Sequence, residues 1–190
     1  MVNVALIGVG NCASALMQGV EYYKKHPKEA FGFLSEIKDV ELKDINFVLG
    51  FDVHKDKVGK DLSQAIFINP NCATKIFSVE SLNAPVLRGP VLDGLDSDIA
   101  QYIEVDTNDN EVSVKEELKK YEVDVAVILL PTGAQEAAEH YAKESIAAGC
   151  GIVNGMPALI ANNKEIVDAA KTNNVPLIGD DVKAQIGATI

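Results

Sequence analysis

The sequence is short of cysteine, of positive charge and of long apolar runs, and each shortage argues against a class of protein. Its three cysteines, Cys12, Cys72 and Cys150, are odd in number and far apart, with no C-x-x-C pair. That spacing suits neither a disulfide framework nor a cysteine-rich zinc site, and it points to a reducing, cytoplasmic compartment. Lysine and arginine total 17 against 28 aspartates and glutamates, for a net charge of −11. Such a balance argues against a nucleic-acid partner, because phosphate contacts need clustered basic side chains. Only the short pairs Lys24-Lys25 and Lys119-Lys120 occur. A phosphorylated small molecule stays open, since a few local lysines can bind it. The first apolar run, Val2 to Ile7, has no basic segment before it and stops at Gly8, so it reads as neither a signal peptide nor a membrane span. Nucleophile elbow, P-loop, internal repeat and low-complexity segment are all missing. The histidines His26, His54 and His140 are scattered and expected at the surface.

What the chain does have is enough apolar residue for one core: 190 residues, 47% of them hydrophobic, fit a single domain. Val2 to Ile7 reads as a strand, and apolar residues at helical spacing (Ala13, Leu16, Met17, Val20, Tyr23) predict a helix after it, with Pro27 at its exit. Lys28 to Asp44 is a charged surface insertion. Ile45 to Phe51 is a second strand with Asp52 at its C-terminal end, and Asp56 to Ile66 is expected to be helical. Asn69 to Asp98, with Pro70, Pro85 and Pro90, is expected to be irregular apart from a short strand at Lys75 to Val79. Ser113 can cap a helix running to Tyr121, with Glu116 completing a capping box. Val123 to Leu130 is nearly all apolar, which suits a parallel strand covered on both faces. A helix from Ala134 to Ala148, a strand at Ile152 to Asn154, a helix from Asn163 to Thr172 and a strand at Val175 to Ile178 complete the pattern. This alternation predicts an α/β fold, a doubly wound parallel sheet of the Rossmann-like kind.

Three groups of residues carry candidate chemistry. Gly8-Val9-Gly10-Asn11-Cys12-Ala13 fits G-x-G-x-x-A between a strand and a helix, the context in which that pattern binds a dinucleotide. Gly8 permits the tight turn, Gly10 lets backbone approach a pyrophosphate, Ala13 lets helix and strand pack closely, and the first helical N–H groups meet the phosphate charge. Asp52 ends the second strand, where an acid accepts the adenosine ribose hydroxyls and favours NAD over NADP. It lies further from the glycine loop than the usual about 20 residues, a difference the insertion at 28–44 accounts for. His54 and Lys55 beside it leave NADP open. The third group lies on loops that end later strands: Pro131-Thr132-Gly133, Asn154 and the segment Asp180, Asp181, Lys183. In open parallel sheets that edge lines the ligand crevice, although each loop alone is also ordinary turn chemistry. A lysine among carboxylates suits phosphate binding or proton transfer, paired aspartates suit a divalent cation, and a plain solvated loop is the alternative to both.

The motifs G-V-G-N-C-A-S at 8–14, F-D-V at 51–53, R-G-P-V-L-D-G-L at 88–95, L-L-P-T-G at 129–133, A-G-C-G-I-V-N-G-M-P at 148–157 and G-D-D-V-K-A-Q-I-G-A-T-I at 179–190 stand in one order. With them the chain resembles the archaeal and bacterial branch of myo-inositol-1-phosphate synthase, the last motif being the most specific. The resemblance implies a cytoplasmic isomerase with resident NAD that converts glucose 6-phosphate to 1L-myo-inositol 1-phosphate. Its steps are oxidation at C5, loss of a C6 proton, aldol closure onto C1 and return of the hydride. It implies Lys183 as a stabiliser of enolate charge, with Asp181 beside it as a residue that orients it or binds cofactor. The cofactor-facing set is then Gly8, Gly10, Asn11, Cys12, Ala13, Asp52, Pro131, Thr132, Gly133, Asn154 and Asp180. A homotetramer is implied for the complete enzyme. Family members are much longer, so residues 1–178, with insertions at 28–44 and 69–111, read as the NAD-binding domain. Residues 179–190 read as the start of a catalytic segment whose remainder is absent. Two other readings stay open: an NAD(P)-dependent dehydrogenase with net turnover, and a non-catalytic NAD-binding module that needs a partner chain.

Overall fold

The structure is a computed structural model, in which residues 1–30, 40–95 and 100–188 are described. Its centre is a six-stranded sheet made of β1 (Val2–Ile7), β2 (Ile45–Asp52), β3 (Val86–Arg88), β4 (Val125–Ile128), β5 (Gly151–Asn154) and β6 (Leu177–Ile178). Every pairing is parallel, and the order is β3-β2-β1-β4-β5-β6. The chain therefore winds outward one way from β1 and then restarts at β4 to wind the other way, the doubly wound Rossmann-like arrangement.

Alternation along the strands feeds two cores. Ala5 and Ile7 point to the face covered by α3 (Val114–Lys120), α4 (Gln135–Ala148) and α5 (Lys164–Thr172). Val4 and Leu6 point to the face covered by α1 (Asn11–Lys25) and α2 (Leu62–Ala65). In β2, Phe47 and Leu49 fall on opposite faces although they are two residues apart. A register shift between Val4 and Ala5 explains this, since it pairs Val4 with Phe47 but Ala5 with Leu49. The extra residue, Val48, is a bulge that reverses which side later β2 residues face. It thereby sends Phe51 into the core with Tyr141.

Several expectations need correction. The helix expected over 56–66 is only Leu62–Ala65, because Gly59 takes a positive φ of 78° and Asp61 starts the helix by accepting from Ser63 N. No strand forms at 75–79. The N–H groups of Ile76 and Phe77 donate instead to Gln18 Oε1 at 2.7 and 3.0 Å, and the third strand is Val86–Arg88. Ser113 does occupy the N-cap of α3, but its side chain makes no capping bond; Lys115 N donates to Glu144 Oε2 of α4. The strand expected over 123–130 pairs only over Val125–Ile128, and only alternate residues of it are fully buried. In α1, Leu16 and Tyr23 are exposed while the polar Ser14 and Gln18 are buried, because Gln18 is needed to hold the 74–77 segment. His54 is buried, and His26 and His140 are half-buried. The insertion expected at 28–44 lies partly outside the described residues, and its described ends are short 3₁₀ turns at Pro27–Glu29 and Leu42–Asp44.

Candidate functional site

The C-terminal ends of the strands surround a cavity of about 470 Å³, within the roughly 300–1,000 Å³ usual for cofactor sites. It lies where the strand order reverses, between the loops after β1 and β4. It is lined by the glycine loop with Asn11 and Cys12, by Asp52, Lys57 and Asn71 on the β2 side, by Pro90 to Leu95, and by Pro131, Thr132, Met156 and Lys183 from the segments after β4, β5 and β6.

Two glycines of the loop have different reasons. Gly8 has φ +89°, and a Cβ there would stand 2.7 Å from Leu129 O, while its N–H donates to Phe51 O at 2.9 Å. Glycine at 8 is thus required by the convergence of β1, β2 and β4. Gly10 has an extended backbone (φ −94°, ψ −161°) that any residue can adopt, and a Cβ there would meet nothing within 4 Å. Among the described residues, nothing in the packing requires glycine at 10. Gly10 is the N-cap of α1, so the next N–H groups have no helical acceptor and the positive end of the helix dipole faces the cavity.

Asp52 is held firmly. Its Oδ2 accepts from Val9 N at 2.9 Å, and its Oδ1 accepts from Val53 N and His54 N at 2.8 and 2.9 Å. Lys57 Nζ lies 3.8 Å from the carboxylate. That ammonium is buried and donates to Val9 O and to Asn71 Oδ1, both at 2.9 Å. Burial pushes the Lys57 amine below its ordinary pKa, against the upward pull of Asp52. Tyr141 of α4 also lines the cavity near Asp52. Burial above all, with Asp52 and Glu111 nearby, raises its phenol pKa. Gly89 leaves the Tyr141 hydroxyl its place, since a Cβ there would fall 1.8 Å from it. Asp93 anchors the 90–95 segment by accepting from Glu136 N and Ala137 N, at 2.7 and 2.9 Å, at the start of α4.

Of the residues singled out from sequence, the structure brings Gly8, Gly10, Asn11, Cys12, Asp52, Pro131, Thr132 and Lys183 to the cavity wall. Asn11 Oδ1 accepts from Cys72 N and Ala73 N, tying the loop to the 72–73 segment. Five others stand behind the wall. Ala13 is wholly buried with Met17. Gly133 forms a left-handed turn of φ +98° before α4. Asn154 is buried and donates to Ala158 O and Asp180 Oδ1 at 2.7 and 2.9 Å. Asp180 accepts from the N–H groups of Ile160, Ala161 and Asn162 and from the amides of Asn154 and Asn162. Burial works against the Asp180 carboxylate, yet these hydrogen bonds outweigh it and hold the group below its ordinary pKa. Asp181, at φ +56°, begins α6 (Val182–Ala188) with its carbonyl accepting from Ala184 N and Gln185 N. Lys183 is exposed at the cavity mouth and has no ion-pair partner among the described residues. Among the described residues no group of three or more His, Cys, Asp or Glu side chains is placed to hold a metal ion, and no helix is long and apolar enough to cross a membrane.

Lys57, Asn71, Asp93 and Tyr141 were missed from sequence. The only signals for them were Lys57 falling just after Asp52 and Asp93 lying within R-G-P-V-L-D-G-L; nothing local marks Asn71 or Tyr141.

No protein-family model matches the chain. In sequence it resembles bacterial inositol-3-phosphate synthases along its whole length. The Corynebacterium glutamicum protein is 43% identical over 192 residues, covering 100% of this chain and 53% of the relative. The Mycobacterium tuberculosis protein is 43% identical over 196 residues, covering 100% of this chain and 52% of the relative. The chain spans about half the length of the curated relatives it matches. Among solved structures, a myo-inositol-1-phosphate synthase-related protein from Thermotoga maritima has a TM-score of 0.73 at 27% identity, over 95% of this chain and 55% of that one. Ari2 has a TM-score of 0.75 at 28% identity, over 98% of this chain and 59% of that one. RSP in complex with β-NADH shares the fold at a TM-score of 0.50 and 13% identity, over 99% of this chain and 57% of that one.

Proposed function

We propose that this chain forms the NAD-binding portion of an inositol-3-phosphate synthase, acting in the cytoplasm on glucose 6-phosphate. The observation that carries the reading is Gly10, a glycine that neither backbone conformation nor packing among the described residues requires, at the N-cap of α1 in the cavity wall. A ligand that lies against the backbone supplies the missing reason. A pyrophosphate fits there, because the free N–H groups of the first helical turn donate to its oxygens and the helix dipole favours its charge. On this reading the adenosine half lies toward Asp52 and Tyr141, and the nicotinamide half toward Thr132, Met156 and Lys183.

When bound, NAD supplies hydride exchange at the sugar C5. What the chain contributes is orientation and charge. Lys183, unpaired at the mouth among the described residues, is positioned to meet an enolate or phosphate oxygen of the sugar, where a fixed cation stabilises developing negative charge. Asp181 and Asp180 act through the backbone: one starts α6 and the other holds the preceding turn, so both place Lys183 without lining the cavity. Residues 1–178 are read as the nucleotide-binding unit and 179–190 as the start of the segment that reaches the substrate, with the relatives' extra length supplying further lysines and a tetrameric assembly.

Calorimetric titration tests the cofactor. The parent chain should bind NAD, and Gly10→Val, whose branched side chain fills the pyrophosphate position, should lose that binding with its circular dichroism unchanged. Equal affinity in both would sink the reading. For the chemistry, Lys183→Met in a chain of the relatives' full length should lose most inositol phosphate release and keep NAD binding; undiminished release would remove Lys183 from the mechanism.

A further inference from the structure

The Val9–Gly10 peptide is the one on which a bound pyrophosphate would rest, and both backbone groups of Val9 are held by side chains from elsewhere. Its N–H donates to Asp52 Oδ2 at 2.9 Å. Its carbonyl accepts twice, from Lys57 Nζ at 2.9 Å and from Asn71 Nδ2 at 3.0 Å. Asn71 is itself fixed, with Nδ2 also donating to Ile66 O and Oδ1 accepting from Lys57. In a planar trans peptide the carbonyl and the following N–H point in opposite directions. Drawing the Val9 carbonyl down onto Lys57 and Asn71 therefore turns the Gly10 N–H up, away from them. Gly10 can rotate either way at small cost, since it has no side chain, so the loop's sequence alone does not choose the orientation. A flipped peptide would present a carbonyl oxygen to the phosphates and repel them.

Burying an ammonium is costly unless it is paired, and burial does lower the pKa of the Lys57 amine. The Lys57 Nζ is met here by two neutral acceptors, with Asp52 Oδ2 at 3.8 Å and already engaged by a backbone N–H. A core that needed only packing would be as well served by methionine at this position. Resting on the nucleotide reading above, we propose that Lys57, seconded by Asn71, is the positioning residue that sets the glycine-loop peptide for pyrophosphate, and so determines affinity for the phosphate part of the ligand rather than for adenosine.

The test is a titration of the parent chain, Lys57→Met and Asn71→Ala with three probes: NAD, ADP and adenosine, followed by calorimetry or by amide NMR shifts where affinity is weak. Lys57→Met should weaken NAD and ADP by about 10- to 100-fold, the scale of losing a charged hydrogen-bond donor, and should leave adenosine within about twofold. Asn71→Ala, which keeps Lys57 and removes one of the two bonds to the Val9 carbonyl, should give a smaller loss with the same phosphate selectivity. In the parent the Gly10 amide resonance should shift on adding ADP, and in Lys57→Met that shift should be lost. NAD binding unchanged by Lys57→Met would overturn the assignment and leave the nucleotide reading standing. Equal losses for adenosine and ADP would show a general structural role and overturn it as well. A parent chain that binds none of the three probes would remove the nucleotide reading, and this proposal with it.

Discussion

Asp52 ends one parallel strand and Asp180 lies just past another, at the same edge of the sheet, and both carboxylates accept several N–H donors, yet they do different work. The donors to Asp52 come from the glycine loop and from its own turn, and one side of the group opens on the cavity. The donors to Asp180 are three successive peptide groups at 160–162 and two asparagine amides, and the group lies behind the cavity wall. The first aspartate shapes a surface that a ligand can touch. The second staples the loop after β5 to the turn that begins α6. Position at a strand end marked both as candidates, and the direction each side chain takes from that position separates them.

The sharpest way to break the comparison is Asp180→Ala. It leaves the buried Ile160 N–H and the part-buried donors of Ala161 and Asn162 without their acceptor, and we expect a loss of about 3–4 kcal/mol of stability, since each unsatisfied group costs about 1–3 kcal/mol and part of the loop can relax to water. Urea denaturation measures this; a loss of less than about 1 kcal/mol would show that the staple carries little. Asp52→Ala should act on binding instead. It frees Val9 N and removes the acceptor for the ribose, so NAD affinity should fall and the preference over NADP should narrow by about 1–3 kcal/mol. A parent chain that binds NADP as well as NAD would deny Asp52 that role.

The smallest effect is in the pH dependence. The Asp180 carboxyl is held below its ordinary pKa of 3.8, so its stabilisation is present above the unfolded value and is lost as pH falls through the folded one. Asp61 is shifted the same way by its bonds from Ser63, Leu82 and Ala84, against the effect of burial. Thermal melts between about pH 5 and pH 2 should therefore show stability falling with acid, and the fall should be shallower in Asp180→Asn. Parallel pH profiles for parent and variant would mean that Asp180 titrates alike in both states.

Much of the fold was legible because its signals are local. The strand at Val2 to Ile7, the glycine turn after it, the helix expected at 134–148 and the helix expected at 163–172 each depend on a few neighbouring residues. The sequence also placed a glycine loop and an acid on one sheet edge, because alternation of strand and helix leaves few topologies open. The misses follow from long-range contacts. Residues 75–79 look like a strand by composition, but Gln18, 58 residues away from Ile76, takes their N–H groups. Leu16 fits a buried helical stripe by its spacing, yet it is exposed and the polar Gln18 is buried. Lys57 and Asn71 bear on Val9 across 48 and 62 residues, and no local pattern can encode which backbone carbonyl a distant ammonium will meet. By itself the sequence determined the order of elements and the chemistry available at the sheet edge. Only the tertiary structure decided which polar groups face the cavity and which are consumed in holding it, because each buried donor must find an acceptor and that pairing is settled by the whole packed chain.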